Sequence, residues 1–378
     1  MSNPSPPPVA QERLLSLDTL RGFDMFWIVF GEVIVHVLHE RNQWAPLNWL
    51  HAELNHPEWN GFTFYDLIFP LFMFLSGVSF SFSLAKRQAQ QYSSGYIHWQ
   101  ILKRGLLLVL LGCIYNGLLR FNFEYKGGLY IDFGEQRFPS VLGRIGLGYI
   151  GGAFIALHFK TRGRLIWALC ILLGYWILMR FVPVPGIGAG VLERGQTWSG
   201  YLDQMILPGA LYNQVQDPEG LVSTIPSIVN VIAGIMVGDW LRRQDKTGYQ
   251  KVGMMVIAGG ILWGLGWIWN LDFPVNKNLW TSSFVLVTVG WSLLFLALFY
   301  LVIDVWKLRW WTLFFVVIGV NPLFIYLASA FIDFAAIADL ILRNEDRWLH
   351  PVLILGAPLV LKWLILYVMY RNRIFLRL

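Results

Sequence analysis

Apolar residues run along this chain in long blocks separated by short polar intervals, and about ten of those blocks are long enough to cross a bilayer as helices. They cover residues 22–39, 64–84, 105–120, 141–159, 165–182, 222–241, 252–270, 281–303, 311–332 and 351–370. The pattern predicts an all-α polytopic bundle forming one transmembrane domain over 1–378, with the polar, Pro-rich stretch 1–13 as a disordered cytoplasmic tail. Asp24 and Glu32 interrupt the first apolar run, so it does not read as a cleaved leader. Thr63 and Asp66 are spaced as a capping box at the head of the second span. The Gly-rich runs 143–152 and 258–266 suit close helix packing.

Composition agrees with a membrane class: 56% of residues are hydrophobic, 14% are charged and mean hydropathy is +0.53. With a cytoplasmic N-terminus, the inner intervals 1–21, 85–104, 160–164, 242–251, 304–310 and 371–378 hold about 18 of the 29 Lys and Arg residues. That asymmetry places both termini inside and the 40–62 interval outside. The net charge of +6 then reads as topology and attraction to anionic membrane lipid or ligand, with no nucleic-acid partner. Cys113 and Cys170 fall within spans and read as packing residues.

The outer intervals carry the unusual side chains. Interval 40–62 holds His51, His56, Trp59 and Asn60; 183–221 holds Asp217 and Glu219 in DPEG; FPVNKNLW places Lys277 between Asn276 and Asn278. Glu32 and His36 stand one helical turn apart inside span 1, where a carboxylate should face the bundle or an aqueous cavity. These groups converge on an outward polar pocket. His56 has a side chain that takes up or releases a proton near neutrality. The HxxH of His36 and His39 is too loose a spacing to indicate a metal, and none is expected. No Walker-type loop supports ATP chemistry. Asp217-Pro218 is also a turn signal, and Trp59 also suits an interfacial anchor.

RLLSLDTLRGFDMFWIVF, HPEWNGFTFYDLIFPLFMFLSG, VLGRIGLGYI, VPVPG, DPEGLVSTIPSIVNVIAGIMVGDWL, PVNKNLWTSS and YRNRIFLRL occur in an order that resembles the heparan-α-glucosaminide N-acetyltransferase family. The resemblance extends over nearly the whole chain. It implies a bundle of ten to eleven transmembrane helices that passes acetyl from cytosolic acetyl-CoA to a glucosamine amino group across the membrane. It carries the catalytic role to His56, the neighbouring family positions to Trp59 and Asn60, the VLxRxG arginine to Arg144 and the DPEG acids to Asp217 and Glu219. In span 1, Glu32 stands where the animal enzyme has an active-site asparagine. Without the animal enzyme's extra N-terminal luminal region, the chain looks like a bacterial relative in an inner membrane, with His56 periplasmic. The animal relatives imply a homodimer.

The same chemistry can be built from the residues. Acetyl transfer to an amino sugar requires a neutral amine, a polarised thioester carbonyl and an exit for the thiol. His56 serves as general base in a ternary complex or as acetyl carrier. Asn60, Lys277 and Asn278 are candidate oxyanion or substrate donors, and Glu32 a candidate partner of His56. Arg21, at the cytoplasmic start of span 1, can meet a donor phosphate or simply pair with Asp18. Arg144 and Asp66 are candidates for structural or acceptor-site roles. Two other readings share these features: a proton-coupled sugar or drug transporter, and an O-acetyltransferase of a surface glycan.

Overall fold

A computed structural model describes residues 14–42, 44–118, 133–342 and 351–376. Its helices are α1 Leu15–Phe26, α2 Glu32–Arg41, α3 Ala45–Glu53, α4 Phe64–Ala89, α5 Ser94–Tyr115, α6 Val141–His158, α7 Thr161–Phe181, α8 Trp198–Ile206, α9 Leu221–Leu241, α10 Gly248–Trp269, α11 Ser282–Tyr300, α12 Thr312–Gly319, α13 Pro322–Phe331, α14 Phe334–Leu342 and α15 Pro351–Arg371. A π-helical turn, Trp27–Gly31, joins α1 to α2, and a second, Leu301–Val305, extends α11. Among the described residues no strand forms beyond isolated bridges between Arg137 and Gly209 and between Val184 and Gly188. Among the described residues, eight continuous helices are long and apolar enough to cross a membrane, and α12 with α13 makes a ninth, bent candidate. The protein is an all-α polytopic membrane protein.

α4 and α9 form the heart of the bundle. Their most apolar windows are 78% and 72% buried, against 17% for α7 and α10, which turn most of their surface to lipid. The two central helices approach so closely that a β-carbon on Gly77 would lie 2.2 Å from the Val231 carbonyl, and one on Gly234 2.0 Å from that of Phe74. Small residues permit this backbone contact where lipid supplies no hydrophobic drive to associate.

Three expectations shift. The third span starts at Ser94 rather than 105, because Ser93 Oγ accepts the Tyr96 N–H at 3.3 Å and a second turn containing His98 and Gln100 continues into the apolar run. The 311–332 block bends by 69° between α12 and α13. Pro322 disfavours helical geometry at Asn321 (φ −131°, ψ 46°), whose side chain instead holds the C-terminal segment, donating to Ile374 O at 2.9 Å and accepting from Leu376 N at 2.9 Å. Cys113 is buried, but Cys170 lies exposed on lipid-facing α7, so only Cys113 is a core packing residue.

Candidate functional site

The turn between α3 and α4 is assembled by side chains that satisfy its backbone. Glu53 Oε2 accepts the Phe64 N–H at 2.8 Å, the Thr63 hydroxyl donates to Asn55 O at 2.9 Å, and Asp66 Oδ2 accepts the Thr63 N–H at 3.1 Å. Asp66 therefore performs the carboxylate half of the expected capping box. Its other oxygen has a second task, accepting from His56 Nδ1 at 2.6 Å. Asp66 is buried while the His56 side chain is 46% exposed, so a shielded acceptor orients an accessible imidazole. With the carboxylate accepting, Nδ1 holds the proton and Nε2 keeps the basic lone pair.

The segment joining α10 to α11 closes on this turn. Gly61 donates its N–H to Val275 O at 2.9 Å, and Asn276 Nδ2 donates to Asn60 Oδ1 at 3.1 Å. Asn276 is wholly buried and also accepts from Leu279 N at 2.9 Å. The clamp brings Lys277 Nζ to 2.9 Å from His56 Nε2, 3.3 Å from Nδ1 and 3.6 Å from Asp66 Oδ1. Burial pushes the Lys277 ammonium below the ordinary lysine range, against the opposing pull of Asp66. Since Asn60 Oδ1 is taken by Asn276, its amide nitrogen is the end left to donate. Asn278 is half-buried and makes no side-chain hydrogen bond among the described residues. Of the asparagines flanking Lys277, Asn276 builds the site.

Behind Lys277 lies a dense ionic layer. Trp280, in the same turn and fully buried, packs under the Arg144 guanidinium at 4.5 Å and donates from Nε1 to Asn230 Oδ1 at 3.1 Å. Arg144 is buried and hydrogen-bonded to Pro218 O and the Ser223 and Thr224 hydroxyls. Arg137 chelates Asp217 through Nε and Nη2, both at 2.7 Å, and also pairs with Glu219. Asp217 further accepts from Tyr212 N at 3.1 Å and Glu219 N at 2.9 Å. Burial alone would raise the Asp217 carboxyl, but these bonds and the Arg137 charge hold it below the ordinary range. Asp217 and Arg144 thus lock the loop to α6 and α9, and neither presents itself to a soluble acceptor. Glu219 is one-tenth exposed and lies near enough to influence Lys277 electrostatically.

Asp203 supplies a pH-sensitive joint in this layer. It accepts from Asp217 N at 3.3 Å and Leu221 N at 3.1 Å, yet burial pushes its carboxyl up to about 6. A raised folded-state value means the native protein binds the proton more tightly than the unfolded chain, so this group's contribution declines as pH rises from about 4 through about 6. Asp203→Asn keeps a side-chain acceptor and removes the titration. The expected result is a smaller fall in thermal stability between pH 4.5 and 7 than in wild type; equal slopes would discount the Asp203 effect.

Among the described residues, the remaining sequence candidates make no hydrogen bond to His56. Glu32 accepts the Tyr65 hydroxyl, and the Tyr65 ring is 5.1 Å from that of His56, so Asp66 and not Glu32 is the carboxylate on the imidazole. Trp59 donates to Leu192 O at 2.9 Å and lies under Arg194, which fixes it to the 183–197 segment. Arg21 donates to Ser79 Oγ at 2.6 Å and Asp18 Oδ1 at 3.3 Å. His39 and His51 stack at 3.8 Å with His36 edge-on to His51, and among the described residues no group of three or more His, Cys, Asp or Glu is arranged for a metal. Sequence reasoning passed over Arg137 and Tyr65. The acidic DPEG pair, needing a cation once buried, was the one signal that pointed toward Arg137.

The catalytic-region family described as heparan-alpha-glucosaminide N-acetyltransferase matches residues 13–266. Heparan-alpha-glucosaminide N-acetyltransferase from Homo sapiens is 27% identical over 416 aligned positions, covering 96% of this chain and 59% of the relative. The protein of the same name from Mus musculus is 26% identical, covering 96% and 60%. The chain thus spans about three-fifths of the length of these curated relatives.

Proposed function

Because this chain belongs to the heparan-alpha-glucosaminide N-acetyltransferase catalytic family, we propose that it transfers acetyl from acetyl-CoA to the amino group of a glucosamine-type sugar at the outer membrane face. The observation that carries the reading is the Asp66–His56–Lys277 constellation: an oriented, accessible imidazole beside a cation, at the head of a spanning helix. In the proposed reaction the sugar nitrogen attacks the thioester carbonyl while His56 Nε2 takes its proton. The C–S bond then breaks as the His56 imidazolium gives that proton to the departing CoA sulfur, which leaves as the thiol and returns the imidazole to its neutral form. Direct transfer needs one acyl-transfer event where an acetyl-histidine carrier needs two, so we favour it. Asn60 Nδ2 and Lys277 are the donors proposed for the developing oxyanion. Arg21, whose guanidinium lies at the opposite end of the first span, is the proposed contact for a donor phosphate. The excess of basic residues in the intervals on that side supports placing the termini in the cytoplasm and His56 in the periplasm of a bacterial inner membrane.

The test is CoA release by the purified protein with acetyl-CoA and glucosamine, followed by alkaline treatment of the product. Glucosamine-dependent release with an alkali-stable amide is expected. An alkali-labile ester would replace the N-acetyl reading with O-acetylation, and folded protein that neither binds nor turns over acetyl-CoA would overturn acetyl transfer altogether.

Lys277 sets an expected feature of the pH profile. Its lowered value means the ammonium is lost below the ordinary 10.5 of lysine, so the alkaline limb of kcat/KM should fall beneath that point. Lys277→Met should abolish that limb; an unchanged alkaline limb would remove Lys277 from the reacting centre.

A further inference from the structure

A separate cavity of about 500 Å³ lies on the other side of the α3–α4 turn. Its walls include five indoles, Trp27, Trp49, Trp263, Trp267 and Trp291, and Glu53 is the one ionisable residue among its described lining residues. The extended backbone at Thr63 (φ −120°, ψ 167°) sends Phe62 and Phe64 into this cavity, while the Thr63 hydroxyl turns back to Asn55 next to His56. The cavity is therefore distinct from the imidazole site, although both are built on the same turn.

Its chemistry is graded with depth. Glu53 ends α3 and Trp49, 65% exposed, marks the rim. Trp291 and Phe295 lie nine and thirteen residues into α11, about 14 and 20 Å along its axis from the outer end. Phe295 stacks on Phe23 there, at a centroid separation of 6.1 Å. Glu53 gives one oxygen to the Phe64 N–H, and among the described residues its other oxygen has no partner. Indole faces are the strongest aromatic partners of organic cations, and a carboxylate beside them adds charge complementarity.

We propose that this cavity binds an amphiphilic organic ammonium ion, with its charged head between Glu53 and the rim indoles and its apolar body running down toward Phe295. The ligand enters from the outer membrane interface between α3 and α10, where Trp49, Trp263 and Trp267 are exposed. This inference does not depend on acetyl transfer.

The test uses purified full-length protein in a neutral maltoside detergent, with quenching of tryptophan fluorescence by benzyltrimethylammonium and by its uncharged isostere carrying carbon in place of nitrogen. Glu53→Gln retains an acceptor for the Phe64 N–H. Saturable binding of the cation, weakened roughly tenfold by Glu53→Gln while the neutral isostere is unaffected, is the expected result. Absence of saturable cation binding, or equal effects of the substitution on both probes, would overturn it. Should Glu53→Gln fail to fold, Trp263→Leu provides the second comparison: selective weakening of the cation supports the site, and an unchanged cation affinity overturns it.

Discussion

Replacing His56 by alanine is expected to lower glucosamine-dependent CoA release by about 10²- to 10⁴-fold while leaving acetyl-CoA binding within a few-fold of wild type. The imidazole is half-exposed and ends no helix, and among the described residues its hydrogen bonds run to Asp66 and Lys277 alone, so its removal takes away proton acceptance without opening the core. Asp66→Asn is the sharper companion. An amide in place of the carboxylate can still accept from Nδ1–H, but it carries no charge to stabilise the imidazolium formed during turnover, and in the flipped orientation it donates and forces the wrong tautomer. A loss approaching that of His56→Ala, with KM little changed, is expected. Retention of near-wild-type kcat in His56→Ala would sink the general-base assignment; retention in Asp66→Asn alone would leave Asp66 as a helix cap.

Arg137→Ala is expected to destabilise the protein by about 3 kcal/mol, because it strands the Asp217 carboxylate in a buried site. The Arg137 guanidinium is itself one-fifth exposed, and Asp217 keeps two backbone donors, which places the cost at the lower end for a broken buried pair. Asp217→Asn in the same chain should recover part of the loss, since the stranded charge is then gone. The sign with pH is opposite to that of Asp203. A carboxyl held below its ordinary value contributes its full stability above the unfolded value of about 4 and loses it as pH falls through the native value. Wild type should therefore lose its advantage over Arg137→Ala in acid. Thermal unfolding in detergent at pH 7 and pH 3 measures this difference, and a gap independent of pH would show that Arg137 acts by packing alone.

By itself the sequence determined what depends on local sums. Hydropathy accumulated over a window separates bilayer-spanning blocks from loops, so over the described residues the predicted blocks fall mainly on helices, although the ninth is broken by Asn321 and Pro322. Imidazole chemistry and the motif resemblance pointed to His56 as the candidate base, and the Thr63–Asp66 spacing was enough to place the start of α4. Only the tertiary structure decided which groups meet. Asp66 has two oxygens, and its spacing announced the cap but not the one that His56 uses from ten residues away. Lys277 reaches His56 across 221 positions and Arg137 reaches Asp217 across 80, contacts that follow from how the helices pack and from where the loops between them must close. The same packing passed the clamp to Asn276 rather than Asn278 and gave Glu32 to Tyr65. Residue type supplies the capacity for a bond, whereas partner choice depends on distances and burial that no local window contains.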